Sequence, residues 1–301
     1  MIRIAIAADD AYVQHCGAFI NSVVKHNPDV QFYFLTEGIT RENEEILKTI
    51  ADQNGGDLVV CNVPSNIVKQ FPMTPQMPSH ISLATYYRLF LTTLLPDSIE
   101  KILYLDCDMI VRGSLLQLWE TDISKHPIAA VYQHFGGENN DSWERLGISR
   151  EQGYFNAGCL LMNLSLLREM GFQRDALFFI EKNYDRIIFH DQDVLNALYS
   201  GKVLPLSCKW NYLSLFYKKR VEQSDFPSFC NYVEELKDPN FSPVIVHFVS
   251  APKPWKYGCD NPYKKEYFDN LIGTPWEGYK VKFSFKTFII KLYSRLLSFF
   301  K

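Results

Sequence analysis

Residues 101–114 read KILYLDCDMIVRGS, and this stretch decides the expected fold. The apolar run Ile102–Leu105 is typical of a buried strand in a parallel sheet, and Asp106, Cys107 and Asp108 follow it. Side chains alternate along a strand, so the two aspartates point the same way and their charges repel each other. A divalent cation bound by their oxygens removes that repulsion. The alternative is a solvated turn, but ligands of open α/β sheets bind beyond the carboxyl ends of strands, which favours a ligand site.

The bulk composition argues against several classes of protein. The 301 residues carry a net charge of −3, which argues against general nucleic-acid binding. The N-terminus turns acidic at Asp9, unlike a signal peptide, and no apolar run is long enough to span a bilayer. Seven scattered cysteines without a CxxC pair predict reduced thiols in a cytosolic protein. Cys107 is either a soft metal ligand or, as we expect, a small hydrophobe that points into the core.

The first 63 residues alternate between strand and helix patterns. Three apolar strands separated by two helical segments predict a parallel sheet with helices on its faces. No GxGxxG follows the first strand, so the usual dinucleotide fingerprint is absent. That strand ends instead in Asp9 and Asp10. These aspartates either hold the base or ribose of a nucleotide or form the acidic first turn of a helix, and the sequence leaves both interpretations open.

Two further groups of candidate residues lie in the middle of the chain. Arg88 stands among the apolar residues of a predicted helix, where it either snorkels to the surface or reaches an anionic ligand. Asn156, Ala157 and Gly158 precede an apolar strand over residues 159–162. A corner of small residues allows a ligand to approach the backbone, although a plain turn has the same composition.

Polar residues also cluster in the second half of the chain. Asp191, Gln192 and Asp193 begin a helix, and although one of them is expected to be a cap, three exceed what a cap requires. His247 lies inside the strand pattern PVIVHFV, as either a core histidine or a ligand. Residues 134–152 contain Gly-Gly, Asn-Asn and several charges, which predicts a mobile loop.

Five motifs, in this order and at these separations, resemble glycosyltransferase family 8. They are ADD at the end of the first strand, YLDCDMIVRGSL, YFNAGCLLMNL, DQDVLN and HFVSAPKPW. The chain looks most similar to the bacterial lipooligosaccharide and lipopolysaccharide galactosyl- and glucosyltransferases of that family. The resemblance implies an α/β fold of the GT-A type over residues 1–275, with a mixed, mainly parallel sheet. It also implies retaining transfer of glucose or galactose from a UDP-sugar to a hydroxyl of a saccharide acceptor.

The resemblance further implies a role for individual residues. Asp106, Asp108 and His247 correspond to the metal ligands of the family, a set that suits Mn²⁺, with Mg²⁺ as the alternative. Ser250 and Lys253 match its diphosphate clamp. The positions that match its pocket for the donor's uridine, ribose and sugar are Ala7, Asp9, Ile81, Arg88, Asp106, Cys107, Asn156, Ala157, Asp191 and Gln192.

The resemblance also bears on mechanism. The family places Gln192 under the anomeric carbon, and because an amide is a weak nucleophile, attack from the face of the leaving group is favoured. Asp191 is the alternative nucleophile for a double displacement. The chain departs from the galactosyltransferases at Gln133, where they have an aspartate near the acceptor and sugar, and this leaves the donor sugar and the acceptor open. Ser250 stands where a glycine is common.

Two other classes of protein are alternatives. One is a protein that binds a UDP-sugar without transferring it, against which the presence of both Gln192 and His247 argues. The other is a metal-dependent nucleotidyltransferase, which also pairs aspartates. It is expected to carry a glycine-rich, basic triphosphate loop near the first strand, where this chain reads ADDAY.

The C-terminal segment 276–301 is basic and aromatic. From Gly278 onward it contains six basic residues and no acidic one, interleaved with phenylalanine, isoleucine and leucine. This composition suits an interfacial segment on anionic lipid, and the alternative is a helix packed on the domain. Lipid-linked acceptors of the family lie at the cytoplasmic face of the membrane. The resemblance therefore implies a cytoplasmic enzyme that is peripheral to the inner (plasma) membrane.

Overall fold

The computed structural model of the protein describes residues 1–68, 71, 83–133, 142–218, 230–249 and 252–289. Two of the predicted donor-binding residues, Ile81 and Ser250, lie outside these ranges, and so does the tail beyond residue 289. Among the described residues, no helix has the length and apolar character needed to cross a membrane.

Nine strands are present in the described part of the chain. They are β1 (Ile2–Ala7), β2 (Val30–Thr36), β3 (Asp57–Asn62), β4 (Lys101–Leu105), β5 (Met109–Val111), β6 (Ile128–Tyr132), β7 (Phe155–Asn163), β8 (Leu204–Pro205) and β9 (Ile245–His247). Seven form one sheet in the order β3-β2-β1-β4-β7-β6-β8, and β5 pairs with β9 in a second sheet. Strands β3, β2, β1 and β4 run parallel, whereas β7 is antiparallel to β4 and β6. The predicted mixed, mainly parallel sheet is confirmed.

Short and medium helices connect these strands. The α-helices are α1 (Val13–Val24), α2 (Arg41–Asp52), α3 (Ser65–Val68), α4 (Leu91–Leu94), α5 (Leu116–Trp119), α6 (Ser142–Leu146), α7 (Leu164–Glu169), α8 (Phe172–Lys182), α9 (His190–Tyr199), α10 (Ser214–Tyr217), α11 (Cys230–Lys237) and α12 (Lys264–Asp269). Helix α1 contacts α2, α12 and β5, and α9 contacts α8 and β7. The segment Leu83–Phe90 before α4 is a 3-10 helix, whereas the sequence predicts one continuous helix there.

The central strands are apolar along their whole length because other elements cover both faces. All five residues of β6 and four of the five in β4 are buried, and eight of nine are buried in β7. Strands of this kind read as unbroken hydrophobic runs. Polar side chains therefore occur where these strands end. The candidate site lies beyond the carboxyl end of β4 for this reason.

The antiparallel direction of β7 brings two predicted groups together. Because β7 runs against β4, the beginning of β7 lies beside the end of β4, and the Asp106 N–H donates to the Gly158 carbonyl (2.9 Å). The sequence places Asn156, Ala157 and Gly158 at a corner before a strand, but β7 includes all three residues. The prediction of a corner is wrong, since β7 begins at Phe155, which pairs with Tyr132 of β6.

Residues 142–152, the second half of the predicted mobile loop, are packed on the domain. They contain α6 and the turn Arg150–Gln152, and Leu146 and Ile148 are buried. Arg145 forms an ion pair with the buried carboxylate of Asp193 (2.7 Å). The prediction of a loop is therefore wrong for this half, and residues 134–141 lie outside the described ranges.

Asp10 links the end of β1 to the beginning of α2. Its carboxylate accepts hydrogen bonds from the Thr40 N–H (2.8 Å), the Thr40 hydroxyl (3.2 Å) and the Asn43 side-chain amide (2.9 Å). The bonds from Asn43 and Thr40 lower the pKa of Asp10. Asp9 precedes the turn Asp10–Tyr12 and makes no side-chain cap bond to it. Of the two aspartates, Asp10 is thus the structural one.

We expect Asp10→Ala to lower the free energy of unfolding by about 1 kcal/mol at pH 7, because the cap region of α2 loses three hydrogen bonds. A depressed pKa in the folded state contributes stability above the unfolded-state pKa and loses it as the pH falls. The difference between wild type and Asp10→Ala should therefore shrink in acid. Urea unfolding at pH 7 and below pH 4 measures the difference in the free energy of unfolding, and Asp9→Ala is the control. An equal loss in both variants would contradict the assignment.

Candidate active site

Three side chains with oxygen or nitrogen ligand atoms meet beyond the end of β4. The ligand atoms of Asp106, Asp108 and His247 all lie within 4.8 Å of one another. His247 Nε2 is 3.1 Å from Asp108 Oδ1 and 3.8 Å from Asp106 Oδ2. Pairing of β5 with β9 sets His247 opposite Met109, which brings the imidazole beside Asp108. The three residues predicted as metal ligands are thus neighbours.

Gly158 allows the side chains of this cluster to approach the backbone closely. A Cβ atom built on Gly158 would lie 2.4 Å from His247 Cε1 and 2.7 Å from Asp106 Oδ2. No side chain fits at this position without displacing these groups. Two carboxylates and one imidazole form a donor set that fits Mn²⁺ or Mg²⁺.

Arg88 is buried between two carboxylates. Its Nη2 donates to Asp106 Oδ1 (2.8 Å) and its Nε lies 2.8 Å from Asp191 Oδ2, while the guanidinium stacks over the Tyr104 ring at 4.1 Å from the centroid. The residue is 3% exposed, so the interpretation as a snorkelling surface side chain is wrong. Its Nε also donates to the Thr85 carbonyl (3.1 Å), three residues back in the 3-10 helix.

The carboxylate of Asp106 has two differently engaged oxygens. Oδ1 accepts hydrogen bonds from Arg88 (2.8 Å) and from the Tyr104 hydroxyl (3.2 Å). Oδ2 faces His247 and Gly158. The arrangement leaves one Asp106 oxygen directed toward the cluster.

Lys253 supplies a second cation, which contacts Asp108, whereas Arg88 contacts Asp106 and Asp191. Its Nζ donates to Asp108 Oδ2 (2.5 Å) and to the Phe248 carbonyl (2.7 Å). Burial alone would raise the pKa of Asp108, but Lys253 and His247 outweigh burial and hold that pKa well below its usual range. Asp108 is therefore ionised.

The first turn of α9 separates structural from site-facing side chains. Asp193 accepts hydrogen bonds from the N–H groups of Ile188 and Phe189 (both 2.7 Å), which precede the helix. The N-cap residue is Phe189 and it has no side-chain cap bond, so the expectation that one of the three polar residues is the cap is wrong, and Asp193 instead fixes the segment before the helix. Asp191 instead accepts a hydrogen bond from Thr85 and faces Arg88. Burial raises the pKa of Asp191 to about 6, against the opposing charge of Arg88.

Gln192 is held from three directions. Its Oε1 accepts from the Ala157 N–H (3.0 Å) and the Asn156 side chain (3.1 Å), and its Nε2 donates to the Tyr154 hydroxyl (3.1 Å). Asn156 also donates to Gln133 Oε1 (2.7 Å). The predicted sugar-pocket residues of β7 and α9 therefore touch one another and Gln133.

Ala7 at the end of β1 and Cys107 after the end of β4 are also predicted donor-site residues. The Cys107 sulfur lies 3.9 Å from the Ala7 carbonyl oxygen, and Cys107 is 5% exposed, so the expectation that it points into the core is confirmed. Its hydrogen bond with Cys16 and burial raise the pKa of the Cys107 thiol well above the usual value. A hydrophobe of this kind is unsuited to ligating a metal ion.

The loop that carries Lys253 is anchored by an aromatic cluster. Trp255 stacks on the His15 ring at 3.8 Å, and His15 Nδ1 lies 2.7 Å from the Tyr267 hydroxyl. The Tyr279 hydroxyl donates to the Trp255 carbonyl (3.3 Å). Two residues further along the loop, Tyr257 contacts the Phe283 ring at 4.8 Å between centroids. The beginning of the tail thus packs against this loop.

The sequence gives no signal for several residues of the site. Tyr104 and Thr85 stand in apolar patterns, where they are indistinguishable from core residues. Asn211, which contacts His247 Nδ1 (2.9 Å), lies in an irregular stretch without periodicity.

A cavity of about 890 Å³ lies against α8. Another, of about 240 Å³, adjoins the Lys253 loop and is lined by Phe248, Pro252, Pro254 and Asn261, among others. Neither of these two cavities is lined by the residues of the carboxylate cluster.

Comparisons with known proteins agree with this geometry. The family described as "Glycosyl transferase family 8" matches residues 3–259. General stress protein A of Bacillus subtilis is 27% identical over 92% of this chain and 95% of its own length. The lipopolysaccharide 1,3-galactosyltransferase of Salmonella typhimurium is 27% identical over 91% of this chain and 79% of its own length. The lipopolysaccharide 1,2-glucosyltransferase of Escherichia coli is 25% identical over 92% of this chain and 79% of its own length.

A solved structure supports the same relationship. The galactosyltransferase LgtC, in complex with donor and acceptor sugar analogs, superposes with a TM-score of 0.82 at 26% identity, covering 93% of this chain and all of that one. The predicted GT-A fold is therefore confirmed as a single α/β domain.

We expect Gly158→Ala to weaken Mn²⁺ binding by about tenfold or more, since the added methyl group must displace His247 or Asp106. Electron paramagnetic resonance of free Mn²⁺ during titration of the protein measures the affinity. Gly113→Ala is the matched control, because its Cβ would meet only Val244 at an ordinary 3.6 Å. Equal affinities in the two variants would show that the absence of a side chain at Gly158 has no role in metal binding.

Proposed function

This chain belongs to glycosyl transferase family 8, and on that premise we propose that it is a retaining hexosyltransferase. It moves glucose or galactose from a UDP-sugar to a hydroxyl of a saccharide acceptor. The observation that carries the proposal is the cluster of Asp106, Asp108 and His247, with Lys253 bound to Asp108. The galactosyl- and glucosyltransferases among the relatives support a hexose donor and a lipopolysaccharide or other surface glycan as acceptor.

Asp106, Asp108 and His247 would hold the metal ion, Mn²⁺ in preference to Mg²⁺ because an imidazole is among the ligands. A bound divalent ion supplies positive charge that stabilises a departing diphosphate. Lys253 would add an ammonium group beside Asp108, where negative charge grows on the leaving UDP. Its contact with Asp108 holds it in that position.

The pocket for the donor is proposed to lie at the ends of β1 and β4 and the beginnings of β7 and α9. Its residues would be Ala7, Asp9, Ile81, Arg88, Asp106, Cys107, Asn156, Ala157, Asp191, Gln192, Ser250 and Lys253. Arg88 acts within this set by holding the carboxylates of Asp106 and Asp191 in place.

The reaction is proposed to proceed by attack from the face of the leaving group. The acceptor hydroxyl bonds to the anomeric carbon as the bond to UDP breaks, and its proton passes to the departing diphosphate. Gln192 would stabilise the developing positive charge on that carbon. Asp191, the alternative nucleophile, is paired with Arg88 and Thr85, which lowers its nucleophilicity and supports the front-face route.

The basic aromatic tail is proposed to bind an anionic membrane surface, at the cytoplasmic face of the inner membrane, where a lipid-linked acceptor is reached. Phe285 is 68% exposed and Phe288 41% exposed, and Lys280, Lys282 and Lys286 are exposed around them. Exposed aromatic and basic side chains together suit an interface with anionic lipid. Residues 276–301 would form this segment, and residues 1–275 the catalytic domain.

We expect transfer from a UDP-hexose to cease in EDTA and to be restored best by Mn²⁺. Asp108→Asn should lower kcat by roughly a thousandfold, because one negative ligand of the ion is lost. Transfer is assayed with a panel of UDP-sugars and saccharide acceptors. NMR of the product should show that the transferred sugar keeps the anomeric configuration that it has in the donor. Asp97→Asn, at a surface position, is the control. Full activity in EDTA or an inverted product would refute the proposal.

For the tail, we expect the protein to sediment with phosphatidylglycerol vesicles at low salt and to dissociate as salt screens the charges. Reversing Lys280, Lys282 and Lys286 to glutamate should abolish sedimentation, since each basic residue contributes on the order of 1 kcal/mol near an anionic surface. The matched control reverses the exposed Lys125, Lys182 and Lys237 instead. If both triple variants sediment alike, the tail is not the anchor.

A further inference from the structure

A continuous set of buried side-chain amides joins His247 to Gln192. His247 Nδ1 lies 2.9 Å from Asn211 Oδ1, and Asn211 Nδ2 donates to Asn156 Oδ1 (2.8 Å). Asn156 Nδ2 in turn donates to Gln192 Oε1 (3.1 Å) and to Gln133 Oε1 (2.7 Å). The network therefore connects the candidate metal ligand with the side chain proposed to face the sugar.

Two backbone groups set the direction of every bond in this network. The Gly158 N–H can only donate, so the Asn156 atom that it contacts at 2.9 Å is the oxygen. The Ala157 N–H fixes Gln192 Oε1 as an acceptor in the same way. Asn211 must then present its nitrogen to Asn156 and its oxygen to His247. It follows that His247 donates from Nδ1.

This direction decides which nitrogen of the imidazole must carry a hydrogen. Because Nδ1 donates to Asn211, Nε2 is the nitrogen that is left to give its lone pair to a metal ion. Nε2 is also the atom that lies 3.1 Å from Asp108 and 3.8 Å from Asp106. Asn211 thus keeps a hydrogen on Nδ1 and presents Nε2 to the carboxylates, as carboxylates and carbonyls do for ligating histidines elsewhere.

The side chain of Asn156 has no bonding capacity left for a ligand. Asn156 uses both amide hydrogens, on Gln133 and Gln192, and its oxygen accepts two bonds, from Gly158 and Asn211. Asn211 is fully buried and Asn156 is 5% exposed. A sugar hydroxyl that bonded to the Asn156 side chain would have to break one of these contacts.

We propose that Asn211 is a positioning residue that sets the tautomer of His247 and, through Asn156, the orientation of the Gln192 carboxamide. Asn156 acts through its neighbours as well, rather than by its side chain binding the donor sugar. The part that concerns Gln192 rests on the proposed glycosyl transfer, whereas the part that concerns His247 does not.

The first test needs no variant of Asn211. Proton–nitrogen correlation spectra of the metal-free protein, recorded above pH 8, report the tautomer of each histidine, and the signals of His247 are those missing from His247→Gln. The expected result is a hydrogen on Nδ1. A hydrogen on Nε2 alone, with none on Nδ1, would overturn the proposal whether or not the protein transfers sugars.

The second test separates the two roles of Asn211. Asn211→Asp keeps an acceptor for His247 but cannot donate to Asn156, so Mn²⁺ affinity should stay within about threefold of wild type while kcat falls about tenfold to a hundredfold. Asn211→Leu removes both bonds and should also weaken Mn²⁺ binding by about tenfold to a hundredfold. Paramagnetic resonance measures the affinity in each variant.

The matched control is Asn27→Asp, which alters an equally buried asparagine whose side chain bonds only backbone groups of Val23, Gly113 and Leu115. It should lower stability and leave Mn²⁺ affinity unchanged. The proposal fails if Asn211→Leu binds Mn²⁺ like wild type, or if all three variants lose affinity together. Absence of transfer by the wild type would remove the proposed function and leave the tautomer and affinity results standing.

Discussion

An excess of buried negative charge is the constraint on which the site depends. The carboxylates of Asp106, Asp108 and Asp191 lie near one another, and two permanent cations, Arg88 and Lys253, contact them. Burying an ion costs several kcal/mol unless a partner compensates it, which explains why Arg88 is buried in an ion pair and why Lys253 contacts Asp108. One negative charge remains uncompensated among these five groups. A diphosphate would be repelled by it, and a divalent cation at the cluster converts that repulsion into attraction.

The sheet topology makes this concentration of charge possible. Strand β4 ends at Asp106, and because β7 runs in the opposite direction, its N-terminal residues lie beside that end. The second sheet then brings His247 alongside Asp108. Residues from the middle and the end of the chain thus meet at one edge, and Gly158 is the position at which the backbone must carry no side chain. An all-parallel arrangement would have put the beginning of β7 at the far edge of the sheet.

Much of the architecture is readable from the sequence, and the exceptions have physical causes. The buried strand before Asp106 and the alternation of strands and helices follow from periodicity. The direction of β7 does not, because an apolar run is the same in either orientation. Residues 156–158 read as a corner because small and amide side chains are typical of turns, although β7 includes them. The burial of Arg88 depends on carboxylates distant in sequence. Asn211 matters through the direction of its hydrogen bonds, which no pattern of residue types encodes.

The contacts between the beginning of the tail and the Lys253 loop have a practical consequence. Tyr279 bonds to the carbonyl of Trp255, and Phe283 packs on Tyr257. Shortening the protein before Tyr279, for example to obtain better crystals, would remove both supports and alter a loop whose own sequence is intact. A shortened protein that ends after Ser284 would keep both contacts and discard most of the exposed aromatic surface. These two rings therefore support the Lys253 loop although they lie in the basic, aromatic part of the sequence.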